Sequence, residues 1–203
     1  MLLRQRELSL PGVGKVFYTS DLHLGHKNIV KYEPSRTEHF AETFRANYLS
    51  MVGQDDTVFF LGDIALTGKT AIMEYFSSLP GRKILVKGNH DKKGTDFYAT
   101  QCGFEVVAEL YAVRGQLLLS HYPLTNIDER YLDRIRRLNE VAEEKGCTAQ
   151  VHGHTHSKFS PDPRCFNVSV EVRGMAPVEE SVLLEEIKAR IGAAQTSNTV
   201  VLE

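Results

Sequence analysis

Five short runs rich in strand-forming residues each end at a polar side chain able to hold a ligand. Residues 15–20 (KVFYTS) end at Asp21, and residues 57–61 (TVFFL) run into Gly62-Asp63. Residues 83–87 (KILVK) stop at Gly88-Asn89, residues 116–120 at His121, and residues 148–151 just ahead of Gly153-His154. In open α/β sheets, polar groups at the carboxyl ends of strands converge on one edge, where ligands bind. Five separate segments are therefore expected to aim polar side chains at one place.

The segments between these runs support an α/β fold. Residues 38–51 have helical spacing, with Phe40, Phe44, Tyr48 and Met51 on one face. Residues 71–79 read as a second helix, stopped by Pro80-Gly81. The order β-α-β-α-β favours parallel strands joined by right-handed crossovers. The second half changes character. Residues 104–113 and 116–120 read as two strands about a tight turn at Arg114-Gly115. Residues 129–145 form a charged amphipathic helix, with Leu132, Ile135, Leu138, Val141 and Ala142 at helical spacing. Residues 166–172 (FNVSVEV) alternate as a strand should, and residues 181–191 read as a last helix. The small, polar stretch 192–203 is expected to be a flexible tail. With no repeat or linker visible, residues 1–203 read as a single domain.

Composition narrows the function classes. The chain has 203 residues, 42% hydrophobic and 25% charged, which suits one soluble domain with a sizeable core. A formal charge of −2 gives no general affinity for nucleic acid or acidic lipid. Cys102, Cys147 and Cys165 cannot all pair and lack the spacing of a zinc knuckle, so they read as buried thiols in a reducing cytoplasm. Neither a secretory signal nor a bilayer-length apolar stretch is visible. A cytoplasmic location, no membrane contact and no obligate protein partner are expected.

The polar motifs are Asp21-Leu22-His23, Gly62-Asp63, Gly88-Asn89-His90-Asp91, Ser120-His121 and Gly153-His154-Thr155-His156, in that order. Singly, an Asp-x-His tripeptide is mostly a surface loop and Gly-Asp a common turn. Gly88 permits a sharp turn, and three polar residues after it are awkward for packing alone. His154 and His156, two apart, share a face and match a metal ion. Jointly the five resemble the calcineurin-like metallophosphoesterase superfamily, whose signature is D-x-H, G-D, G-N-H-[DE], H and G-H-x-H. The resemblance runs from residue 15 to about residue 172 and fills every ligand position. Residues 21–28 (DLHLGHKN) resemble a compact branch described as phage-type phosphoesterases.

The resemblance implies a four-layer αββα sandwich, two central mixed β-sheets flanked by helices. It implies two divalent metal ions, one on Asp21, His23 and His156, the other on Asn89, His121 and His154, with Asp63 bridging them. Oxygen and imidazole ligands without thiolate suit Mn²⁺, Fe, Zn²⁺, Co²⁺ or Ni²⁺ better than Ca²⁺; Mn²⁺ is the expected activator. The implied reaction is hydrolysis of a phosphate ester by a metal-bridging hydroxide. His90, outside the ligand set, is the candidate acid for the leaving group. Asp91 is a candidate to orient His90, or a turn residue. His152 reads equally as a structural residue or as a support to the ligands, His39 as surface, and His26 as a candidate for the pocket wall.

Two departures bear on the substrate. Many relatives carry an aspartate three residues after the Gly-Asp aspartate, where this chain has Leu66. Protein phosphatases continue with aspartate-arginine, where this chain has Leu66-Thr67, so the arginine that clamps a phosphomonoester is missing from that place. A phosphodiester, as in a nucleotide or nucleic-acid end, is the favoured substrate. A broad phosphomonoesterase and a catalytically idle binding scaffold are the alternatives. Lys27, Lys92 and Lys93 could meet further phosphates, and Tyr122-Pro123 would shape the rim. Arg130, Arg134, Arg136 and Arg137, interleaved with acids, read as an ion-paired surface.

Overall fold

The computed structural model describes residues 14–125 and 128–199. In chain order the elements are β1 (Val16–Thr19), α1 (Ile29–Tyr32), α2 (Phe40–Met51), β2 (Thr57–Phe60), α3 (Lys69–Ser77), β3 (Arg82–Val86), α4 (Thr95–Gln101) and β4 (Phe104–Ala108). Then follow β5 (Tyr111–Arg114), β6 (Leu117–Ser120), α5 (Leu132–Glu144), β7 (Ala149–His152), β8 (Cys165–Asn167), β9 (Val178–Glu179) and α6 (Glu180–Thr199). One sheet has the order β4-β3-β2-β1-β9, parallel except for the β1–β9 pair. The other has the order β5-β6-β7-β8, with an antiparallel β5–β6 hairpin and parallel β6–β7 and β7–β8 pairs.

The central strands are apolar without interruption because both of their faces are covered. Tyr18, Phe59, Ile84 and Val86 face the second sheet, meeting Leu119, Val151 and Phe166, with Leu183 and Ile187 of α6 closing that layer. Phe17, Val58, Phe60 and Leu85 point the other way, against Phe44 and Tyr48 of α2, Phe76 of α3 and Tyr98 of α4. On the far side, Leu118 and Cys165 pack against Leu138 and Val141 of α5. The result is the expected α/β architecture of two mixed sheets between helices. Phe60 sits edge-on to Phe76 (5.7 Å) and Phe104 (5.5 Å) and is 1% exposed. Phe60→Ala is expected to cost about 3–5 kcal/mol by cavity formation, measured as a lower urea midpoint at unchanged slope.

Three sequence expectations change. The run 104–113 is two strands: β4 closes the edge of the first sheet and β5 opens the second, with Glu109-Leu110 making the crossing. The run 166–172 keeps strand form only through Asn167, because Ser169 leaves the sheet to bridge Ser20 and Val170–Arg173 winds into a 3-10 turn. The stretch 192–203 is not a tail throughout, since α6 continues to Thr199. Gly192 weakens a helix without ending it. Residues 200–203 lie outside the described residues. The short elements α1, α4 and β9 had no expected counterpart.

Candidate metal centre

The sheets touch where their strands end. Ser20 and Ser169 form a parallel bridge, and the loops after the strands are stitched together by backbone bonds. Asp21 N–H donates to Gly62 O (3.0 Å), His23 N–H to Asp63 O (2.9 Å), and Gly153 N–H to His121 O (3.1 Å). Asp21, His23, Asp63, His154 and His156 all have positive φ, between 51° and 70°. For residues with a Cβ this left-handed backbone is uncommon, and it concentrates where surrounding structure holds a functional geometry. The glycines beside them allow the close approach. A Cβ on Gly88 would lie 2.2 Å from Asp63 Oδ1, and one on Gly62 would lie 2.6 Å from Gly88 N.

The structure brings all seven expected ligand residues together. Asp63 Oδ2 stands 3.4 Å from His121 Nε2 and 3.6 Å from His23 Nε2. On one side of it, Asp21 Oδ1 lies 3.9 Å from both His23 Nε2 and His156 Nε2. On the other, His121 Nε2 lies 3.1 Å from Asn89 Oδ1 and 3.2 Å from His154 Nδ1. The opposite atoms of several are already fixed. The His121 ring donates through Nδ1 to Leu61 O (2.9 Å), and Asp63 Oδ1 accepts from His90 N–H (2.8 Å). Asp21 Oδ2 accepts from His154 N–H and Ser169 Oγ, both at 2.9 Å.

What remains free points inward. Asp21 Oδ1 and both ring nitrogens of His23 are buried without a hydrogen-bond partner, a costly condition for polar atoms unless an ion or water completes them. The donor atoms of Asp21, His23 and His156 lie within 4.8 Å of one another, as do those of Asp21, Asp63 and His121. These buried oxygen and imidazole clusters fit divalent metal ions.

The electrostatics agree. Burial pushes the carboxyls of Asp21 and Asp63 up, but His121 and the other imidazoles outweigh it and hold both below the usual carboxylate range. Burial opposes charge on His121, yet Asp63 and Asp21 raise it to about 9, so without metal this ring carries the compensating positive charge. Burial lowers His23 to about 3 and His154 to about 4, leaving neutral rings with lone pairs to offer.

The other sequence candidates separate. His90 is half-exposed at the cleft, with Nε2 4.0 Å from Asp63 Oδ2 and its ring 5.3 Å from that of His23. Asp91 does not orient it. Its carboxylate is buried and accepts from the N–H groups of Asp63 (2.8 Å), Ile64 (3.1 Å) and Gly88 (2.8 Å), tying two loops together. Asp91 is therefore corrected from a catalytic candidate to a brace for the loops. His152 is wholly buried beneath the site and holds Gly153 O (2.8 Å). His26 packs edge-on to His23 at 5.7 Å, and His39 is an exposed residue at the start of α2.

A cleft of about 370 Å³ opens over Asp63, Asn89, His90, His154 and His156, flanked by Lys92, Arg130 and Tyr131. Tyr131, read from sequence only as part of a helix, stands 5.1 Å from the His154 ring. Arg136 and Arg137 make the expected surface ion pairs, with Asp133 and Glu140, whereas Arg134 bonds the Tyr122 hydroxyl. Also unforeseen were Ser20, Ser169, Arg36 and Glu171, which surround the ligand loops. Arg36 and Glu171 are 135 residues apart in the chain and belong to no short motif.

The comparisons with known proteins agree with this geometry. The chain is 31% identical over 171 residues to the Gene 66 protein of Mycobacterium phage L5, covering 71% of this chain and 79% of that one. It is 28% identical over 187 residues to the uncharacterized protein MJ1445 of Methanocaldococcus jannaschii, covering 86% and 92%. The structure also matches the crystal structure of AQ665, a protein of unknown function from Aquifex aeolicus. That match has a TM-score of 0.74 and 30% identity, over 85% of this chain and 99% of that chain. With residues 15–171 matching the calcineurin-like phosphoesterase superfamily domain, the chain belongs to that superfamily.

Proposed function

We propose that this chain is a binuclear metal-dependent phosphodiesterase acting on a nucleotide or a nucleic-acid end. The observation that carries the reading is the convergence of ligand atoms on either side of Asp63 Oδ2, several fixed from behind and several otherwise unpartnered. Asp21, His23 and His156 would hold one divalent ion, Asn89, His121 and His154 the other, and Asp63 both. Two such ions supply Lewis acidity toward phosphate oxygens and bring the pKa of water toward neutrality. Mn²⁺ suits the donor set.

The chain's own residues do the rest. Asn89 and the ligand loops orient the phosphate. His90, on the solvent side of Asp63, delivers a proton from Nε2 to the departing oxygen. Lys92 and Arg130 offset charge on the parts of the substrate that do not react. Leu66 in place of an acid, and no arginine beside it, favours a diester over a monoester. Cys102, Cys147 and Cys165 are free thiols, which supports a reducing, cytoplasmic setting.

Metal-stripped protein given Mn²⁺ is expected to hydrolyse bis-p-nitrophenyl phosphate faster than p-nitrophenyl phosphate. His90→Asn should keep both metals while turnover falls roughly 10²–10⁴-fold, the scale of a lost general acid. Preference for the monoester would favour a phosphomonoesterase instead. Retained metals with no turnover of either ester in the wild type would favour a binding scaffold.

A further inference from the structure

Behind the metal centre lies a buried ionic network that the proposed chemistry does not use. Glu171 is carried by the 3-10 turn Val170–Arg173, and its side chain is 1% exposed. Its Oε1 accepts from His156 Nδ1 (2.7 Å) and from Arg36 Nε (2.8 Å) and Nη2 (2.5 Å). Arg36, also buried, donates through Nη1 to Leu22 O (2.7 Å) and through Nη2 to Asp21 O. One guanidinium thus ties the Asp21-Leu22-His23 loop to the carboxylate that meets His156. Phe40 lies under it, 4.9 Å from the guanidinium carbon.

We propose that Glu171 and Arg36 are positioning residues for one half of the metal centre, holding the His156 ring so that Nε2 is its ligand atom. The inference rests on the binuclear reading above. A ring whose Nδ1–H is donated to a carboxylate has its tautomer and orientation set, and its free nitrogen is made more basic. Here that free nitrogen is the one 3.9 Å from Asp21 Oδ1. The ring also stacks on His23, with centroids 5.0 Å apart and planes 19° apart, so orienting one ring orients its neighbour.

Arg36 acts one step further back. Its Nε and Nη2 donate to the same Glu171 Oε1 that accepts from His156 Nδ1, holding that oxygen in place. Glu33 joins His156 and Glu171 in a group whose donor atoms lie within 4.8 Å of one another. Glu171 Oε2 is buried without a hydrogen-bond partner, yet the Arg36 guanidinium already meets the charge of this carboxylate, so no third ion is expected there. Among the described residues, Arg36 and Glu171 bond directly to the Asp21-Leu22-His23 loop and to His156, all on one side of the centre. The His121 and Asn89 side is fixed separately, by Leu61 O behind His121. The two metal positions should therefore respond differently when the network is cut.

The test is a Mn²⁺ titration of metal-stripped wild type, Glu171→Gln and Arg36→Met, followed by electron paramagnetic resonance of free Mn²⁺. The wild type is expected to bind two ions and no third. Glu171→Gln should bind one ion as the wild type does and the other 10–100-fold more weakly, and Arg36→Met should act in the same direction. Two unchanged phases, or equal weakening of both, would overturn the positioning role while leaving the binuclear reading intact. A third ion in the wild type that Glu171→Gln loses would assign Glu171 as a ligand and also overturn it. A wild type that takes no metal would overturn both readings. Should the variants fail to fold by circular dichroism, imidazole ¹⁵N spectra of the Zn²⁺-loaded wild type give the same answer. His156 protonated at Nδ1 supports the proposal, and His156 protonated at Nε2 contradicts it.

Discussion

Asp63→Ala is expected to empty both metal positions and lower turnover by on the order of 10³-fold or more, the scale of losing a major transition-state electrostatic group. Asp63 faces both halves of the centre. Its Oδ2 stands between His121 Nε2 at 3.4 Å and His23 Nε2 at 3.6 Å, and its Oδ1 holds the His90 N–H at 2.8 Å. Alanine removes the shared ligand and frees the loop that presents Asn89 and His90. The variant should melt cooperatively, since the Asp63 backbone keeps its bonds to Asp91 Oδ2 and the His23 N–H. Metal content after dialysis, measured beside the circular dichroism spectrum, checks the prediction. Asp63→Asn provides the graded case: the amide oxygen can still accept from His90 while the negative charge is gone. It should retain less metal than the wild type and more than alanine.

Gly153→Ala should destabilise the metal-free protein by about 3 kcal/mol or more, the upper range for overpacking a filled site. A methyl there would lie 1.9 Å from Ser20 Oγ and 2.3 Å from Asp21 Oδ2. Neither atom can yield cheaply. Ser20 Oγ donates to Leu61 O at 2.7 Å, and Asp21 Oδ2 accepts from Ser169 Oγ and the His154 N–H. The extra carbon would pry the end of β7 from the end of β1, where the sheets meet. Gly192→Ala is the contrast. It lies exposed in α6 with nothing within 4 Å of the added carbon, so it should stabilise by about 0.5–1 kcal/mol. Urea denaturation of the two variants gives opposite signs if the Gly153 effect comes from crowding rather than from backbone freedom.

What the sequence disclosed and what it hid follow from the range of the interactions involved. A parallel strand covered on both faces is a local signal, so TVFFL and KILVK could be placed within a residue or two. The polar residues after them stood out because they interrupt apolar runs. FNVSVEV alternates convincingly, but Ser169 answers to Ser20, 149 residues earlier in the chain, and the alternation says nothing of that partner. Nothing in that alternation marks Glu171, whose side chain lies buried against His156. Arg36 sits in a polar stretch, PSRTEH, that resembles any loop, and its value depends on Glu171, which is remote in sequence. Asp91 shows the opposite failure. Its neighbourhood suggested chemistry, whereas its oxygens are taken up by three backbone N–H groups. Two-residue β9 is too short for any periodicity to reveal, and Gly192 suggested an end where the helix formers Ala193 and Ala194 carry α6 onward.

The most direct measurement is the turnover of bis-p-nitrophenyl phosphate by metal-stripped protein as Mn²⁺ is returned stepwise, with bound metal determined in the same samples. Hydrolysis absent from the stripped protein, rising with Mn²⁺ and reaching its plateau at two bound ions per chain is the expected result. Turnover that is complete at one ion, or independent of metal, would contradict a binuclear centre built around Asp63.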